Sequence, residues 1–251
     1  YRYNVAKGSE IEVITNSGKV KLSQWFEEFP PIITFDDGSK LENNLYIDIQ
    51  KFDIPIYAKD GIIAYDWEKT DISVESQTHE RLTNSIQYNT IERIKEEGYD
   101  IIFDDDGKGE IADIIAIKSK EDRVVINFYH CKFSKGNKPG KRLDDLYQVC
   151  GQAQRSVYWK TKLEKMLRRM IERDRAYINR YGVSRFIIGN EELLNVYKNK
   201  LKVYDVQLEI YIVQPGVTKQ HISNEMLKLL GVTQNWCQET YMIPFKVITS
   251  K

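Results

Sequence analysis

Residues 110–132 read EIADIIAIKSKEDRVVINFYHCK, and the fold turns on this stretch. Its two apolar runs, 114–117 and 124–128, are short and rich in β-branched residues, as buried strands are. The spacing predicts strands over 110–118 and 123–132. A third strand candidate, 100–103, precedes them and leads into the turn Asp104-Asp105-Asp106-Gly107. Asp113 lies within the second strand, just before its apolar run, and Lys132 ends the third. Neighbouring strands in hairpin register bring these two charges to one edge of the sheet.

On the N-terminal side of these strands, residues 76–97 predict a long helix. Leu82, Ile86, Ile91 and Ile94 supply its apolar face, and Gly98 is a natural stop. After the Gly-, Lys- and Pro-bearing loop 134–140, a helix with breaks is expected from about 142 to 181. Strands at 184–188 and 207–213, a helix at 223–230 and a strand at 245–249 complete the chain. The order of helix, three strands, helix and strand predicts an α/β domain over 75–251, a central mixed sheet flanked by helices. Residues 1–74 are expected to form a β-rich extension. There, 10–15 and 19–22 form a hairpin across Asn16-Ser17-Gly18, 32–35 is a strand, and Asp36-Asp37-Gly38-Ser39 is a turn.

Composition narrows the class. The chain has 251 residues, 41% hydrophobic and 29% charged, which suits a folded domain rather than a disordered one. No apolar run approaches the ~20 residues of a membrane span, so no membrane role is expected. Cys131, Cys150 and Cys237 are odd in number, and His79, His130 and His221 are scattered, which argues against a disulfide framework and structural zinc. A reducing, cytoplasmic setting is the expectation. The chain opens at Tyr1 rather than Met, as expected of a piece of something longer.

The formal charge is zero but unevenly spread. Between Lys141 and Arg185 twelve basic residues meet five acidic ones, and this segment suits a phosphate backbone. Lys138, Lys141, Arg142, Arg155, Lys160 and Arg168 are the expected nucleic-acid contacts. The loop at 135–142 lacks the Gly-Lys-Ser/Thr ending of a nucleotide-binding loop.

Asp113 and Lys132 have the chemistry of metal-assisted phosphodiester hydrolysis. A carboxylate suits a hard divalent ion such as Mg2+, and a lysine beside it offsets developing charge. In this reading Asp113 anchors the metal, the Cys131 carbonyl is a second ligand and Lys132 is the catalytic cation. Gln154 and Tyr158, four residues apart on one helix face, reach toward the site. Cys131 and Cys150 read as small buried residues rather than nucleophiles.

The run through Asp113, His130-Cys131-Lys132 and Gln154-Arg155-Ser156-Val157-Tyr158 resembles the PD-(D/E)xK, restriction-endonuclease-like nuclease superfamily. Residues 75–251 also resemble C-terminal regions of bacterial defence DEAD/DEAH-box helicase proteins. The resemblance implies an αβββαβ core and a Mg2+- or Mn2+-dependent DNA endonuclease. Such a module would be the effector part of a larger helicase-linked anti-phage defence protein, with its other domains or subunits as partners. It departs from the pattern at His130, where an acid is expected; neutral imidazole binds Mn2+ better than Mg2+. Related nucleases recruit an acid from the first helix, which makes Glu80 the expected compensator. Asp144 and Asp145 are further candidates, and Glu110 needs a bulge to face the site. Two other readings stand beside nuclease: a degenerate module that binds DNA or a partner protein, and an oligomerisation domain.

Overall fold

Short alternating segments shape the N-terminal residues of the computed structural model, which describes residues 3–16, 18–35, 39–48, 54–136 and 138–251. The chain divides into two units, Tyr1–Ile54 and Pro55–Lys251. In the first, β1 (Glu12–Thr15) and β2 (Gly18–Lys21) form the expected hairpin, with Val13 opposite Val20. Helix α1 (Leu22–Glu28) carries Trp25, whose ring lies 4.6 Å from that of Phe29. Strands β3 (Ile32–Thr34), β4 (Lys40–Glu42) and β5 (Leu45–Ile47) make a three-stranded antiparallel sheet. The turn expected at 36–39 lies largely outside the described residues.

The second unit runs β6 (Ile62–Tyr65), α2 (Ile86–Ile94), β7 (Ile101–Asp104), β8 (Ile114–Lys120), β9 (Arg123–Cys131), α3 (Leu143–Ser156), α4 (Leu163–Tyr181), β10 (Phe186–Ile188), α5 (Glu191–Lys200), β11 (Asp205–Thr218), α6 (Asn224–Asn235) and β12 (Phe245–Ser250). Its seven strands form one mixed sheet in the order β10-β7-β8-β9-β11-β12-β6. Strands β7, β8 and β9 are antiparallel neighbours, with Ile114 opposite Tyr129. After β9 the chain crosses through α3, α4 and α5 and returns as β11, parallel to β9.

Both faces of this sheet are covered, which explains why its central strands are continuously apolar. On one face Ile115, Ile117, Ile126 and Phe128 pack with Leu146, Val149 and Ala153 of α3 and Met170 of α4. On the other, Ile114, Ala116 and Tyr129 pack with Ile86, Ile91 and Ile94 of α2. Ile114 and Ile115 are each fully buried, and burial of each side chain contributes about 1.5–3 kcal/mol.

Four expectations change. The helix predicted over 76–97 is confined to Ile86–Ile94 and a closing 3-10 turn, Lys95–Glu97. Thr78 and Arg81 have φ of 55°, which an α-helix does not allow, and Ser85 caps the true start by accepting from the Tyr88 amide at 3.1 Å. Strand β8 begins at Ile114, not 110. Helix α5, absent from the sequence reading, joins β10 to β11. The division falls at Ile54/Pro55 rather than 74/75, because β6 pairs in parallel with β12 and completes the large sheet.

Candidate metal centre

Three consecutive aspartates at the end of β7 have three different fates. Asp104 is buried and accepts from Gln77 Nε2 and Gln87 Nε2, both at 2.8 Å. Asp105 is fully buried, pairs with Arg173 of α4 and accepts from the Ile111 amide at 2.7 Å. Burial pushes its carboxyl up to about 6 even though Arg173 opposes the shift. These two brace the loop, whereas Asp106 is half-buried and faces outward to Asp113.

Two left-handed glycines shape the segment between Asp106 and β8. Gly107 and Gly109 have φ of 103° and 82°, so the chain turns tightly and Glu110 folds back. The Gly107 amide donates to Glu110 Oε2 and the Glu110 amide to the Gly107 carbonyl, each at 3.0 Å. Glu110 is therefore in a turn, where strand alternation no longer dictates which way its side chain points. One ligand oxygen from each of Asp106, Glu110 and Asp113 lies within 4.8 Å of the others.

Asp113 sits at the mouth of β8, 1% exposed. Its Oδ2 accepts from the Cys131 amide at 2.9 Å, and its carbonyl accepts from Gln87 Nε2 and the Asp105 amide. Burial, and then the nearby Glu110 carboxylate, hold the Asp113 carboxyl well above its ordinary value. Burial and Asp106 likewise raise Glu110.

His130 adds another acceptor. The Ser156 hydroxyl donates to the Ala153 carbonyl at 2.8 Å, so at 3.0 Å it can only accept from His130 Nε2–H. The tautomer leaves Nδ1 as a lone pair, buried, without a hydrogen-bond partner, and 3.9 Å from Asp113 Oδ2. Burial, helped by Arg155, drops the imidazole to about 3, so the ring is neutral and this contact is no ion pair. Three carboxylates thus converge, and the His130 lone pair lies beside one of them, Asp113. Among the described residues the donors that reach the carboxylates are neutral: the Cys131 and Gly107 amides, the Ser76 hydroxyl and the Gln152 side chain. Such a cluster could hold a cation. The donor set of three carboxylates has the chemistry of a Mg2+ or Mn2+ site.

Lys132 closes the edge. Its Nζ is 2.9 Å from Oε2 of Glu75, in the turns before α2, and the same oxygen accepts from the Phe133 amide at 2.9 Å. Glu75 is also near enough to Asp113 to help raise its carboxyl.

Several expected roles fall differently. Glu80 is exposed in the turns before α2, its amide bonded to Thr78 Oγ1, and Glu75 is the acid from this segment that meets Lys132. The loss of helix over 76–85 is the reason. Cys131 meets Asp113 through its amide rather than its carbonyl. Its thiol, like those of Cys150 and Cys237, is buried and pushed up. His130 and Lys132 do not share a face, because β9 ends at Cys131: His130 turns to α3 and Lys132 to Glu75. Gln154 donates to Thr233 of α6 at 3.2 Å, and Tyr158 is half-exposed in a 3-10 turn stacked edge-on to Trp159. The glutamine of α3 that meets the acidic cluster is Gln152, whose Nε2 is 3.5 Å from Glu110 Oε1. Asp145 is drawn to Arg142 and the Lys135 amide.

The basic segment is also divided. Arg142 bonds Ser134 and the Lys138 carbonyl, Lys160 the Tyr241 carbonyl, and Arg169 the Gly109 carbonyl. Lys138, Lys141, Arg155 and Arg168 are exposed.

No protein-family model matches the chain, and no curated protein or solved structure matches it. Among the described residues no helix is long and apolar enough to cross a membrane.

Proposed function

We propose that the second unit is a divalent-metal-dependent phosphodiesterase acting on DNA, the cutting part of a larger defence protein. The observation that carries this reading is the cluster of carboxylates formed by Asp106, Glu110 and Asp113, with the Lys132–Glu75 pair near Asp113. The order α2, β7, β8, β9, α3, followed after α4, β10 and α5 by β11 parallel to β9, supports a restriction-endonuclease-like core. The helicase-linked context rests on the resemblance over 75–251 alone.

Asp106, Glu110 and Asp113 would hold Mg2+ or Mn2+, which supplies Lewis-acid stabilisation of a scissile phosphate. The Cys131 amide fixes Asp113 Oδ2 and leaves Oδ1 without a hydrogen bond among the described residues. Lys132 brings the positive charge that offsets charge developing on the phosphate, and Glu75 orients it. Gln152 holds Glu110 from α3. The exposed Lys138, Lys141, Arg155 and Arg168 supply further positive charge for a nucleic-acid backbone.

The test is cleavage of plasmid DNA by the purified chain with EDTA, Mg2+ or Mn2+, beside Asp113→Ala and Lys132→Ala. Metal-dependent cutting lost in both variants is expected, and undiminished cutting by both sinks the assignment. Two features favour a second reading, a module that binds DNA without cutting it: Lys132 is already neutralised by Glu75, and His130 stands where the resemblance expects an acid. DNA binding with no cutting under any metal selects it.

A further inference from the structure

Beside the acidic cluster lies a cleft of about 420 Å³, within the size range of small-ligand sites. Asp106 lines it and also belongs to the metal cluster, so the two sites share a wall. The opposite wall is the C-terminal half of α4, which presents Tyr177, Arg180 and Tyr181. The turns before α2 add His79, whose ring lies parallel on Tyr181 with centroids 4.4 Å apart and planes at 17°. Tyr177 meets Tyr181 at 4.7 Å, and Arg185 covers Tyr177 at 4.0 Å.

These rings are lodged in a polar, cationic cleft rather than in the core. Arg173 and Arg185 are bonded to the Asp104–Asp106 loop and hold its wall in place. Arg180 and Lys108 are exposed, and neither side chain has an acidic partner among the described residues; the Arg180 guanidinium lies over the Tyr181 ring, 5.0 Å from its centroid. Flat rings beside cations that no carboxylate neutralises suit a nucleobase and its phosphate. A paired base hides its faces within the duplex, so only an unpaired nucleotide can use such a platform.

We propose that this cleft takes an unpaired nucleotide of a single strand, its base stacked on the His79–Tyr181 platform and its phosphate at Arg180 and Lys108. As a substrate preference this rests on the phosphodiesterase reading; as binding it stands alone. The enzyme then acts on single-stranded or frayed nucleic acid, with the stacked nucleotide adjoining the scissile phosphate.

Binding is measured by fluorescence anisotropy in EDTA, where hydrolysis plays no part. The probes are labelled oligothymidine, oligouridine and a DNA duplex of equal length. The single strand is expected to bind more tightly than the duplex, with the thymidine and uridine arms separating DNA from RNA. Tyr181→Ala and His79→Ala should each weaken single-strand binding by about 5- to 150-fold, the range for one base–aromatic stack. Tyr181→Phe keeps the ring and should retain affinity, which separates stacking from misfolding. Equal binding of duplex and single strand, or unchanged affinity in both alanine variants, overturns the proposal. Cleft-dependent binding without cleavage under any metal fails the phosphodiesterase reading while leaving the cleft assigned. Metal-dependent duplex cleavage indifferent to Tyr181→Ala does the reverse.

Discussion

The ammonium of Lys132 lies 2.9 Å from Oε2 of Glu75, joining the end of β9 to the turns that precede α2. Both side chains are largely shielded, at 11% and 23% exposure, so neither charge is well solvated without the other. Lys132→Met is expected to abolish cleavage, whereas Glu75→Gln should reduce it while keeping a hydrogen-bond acceptor. Each should lower stability by about 2 kcal/mol, the scale of a hydrogen bond to a charged group. Urea denaturation beside the cleavage assay checks both. Full activity in Lys132→Met would remove the lysine from the chemistry.

Metal is expected to stabilise the fold, by about 2.7 kcal/mol at a hundredfold excess over Kd. The effect should depend on pH. Asp113 has a raised folded-state carboxyl, so its contribution to metal-free stability is present below the ordinary ~3.9 and lost as pH rises through the raised value. A cation takes the ionised form, so stabilisation by Mn2+ should be weakest at low pH and grow as pH rises. Thermal unfolding with and without Mn2+ reads this directly. Asp113→Asn should erase both the gain and its pH dependence.

The imidazole of His130 is expected to be the neutral Nε2–H tautomer in the metal-free protein, since Ser156 has already committed its own proton. Ring nitrogen shifts by NMR report it. Ser156→Ala leaves a buried Nε2–H without its acceptor and should cost about 1–3 kcal/mol. A protonated ring at neutral pH would contradict the assignment.

Helix α3 offers a paired comparison. Gln152→Ala removes the contact to Glu110 and should weaken metal binding and cleavage. Gln154→Ala removes the bond to Thr233 on α6 and should cost about 1 kcal/mol of stability with little effect on cleavage. Mn2+ titration of both variants separates the two roles, and equal losses would show that α3 presents a different face.

Much of the second unit was legible in residues 110–132. Two β-branched runs, each too continuous for an amphipathic helix, announced buried strands, and the charges at their ends marked one edge of a sheet. Asp113 and Lys132 were visible for that reason. The other members of the cluster were harder to see. Glu110 looked misdirected while its segment was read as regular strand, and left-handed Gly107 and Gly109 reverse that reading. Glu75 was hidden because the apolar spacing before Gly98 suggested a longer helix than Ser85 begins.

Local pattern alone dictated the central strands, the Ile86–Ile94 part of α2 and helices α3, α4 and α6, since burial on both sides of a sheet requires the composition those segments have. Which acids meet was a matter of tertiary packing. Asp106 rather than Asp104 or Asp105 joins Asp113, because Gln77, Gln87 and Arg173 engage the first two. Gln152 rather than Gln154 faces Glu110, because α3 docks with Val149 and Ala153 on the sheet and that rotation sets every other residue of the helix. Strand identity comes from a residue's neighbours in the chain, whereas a metal centre is assembled from loop ends whose directions depend on backbone torsions and on helix packing.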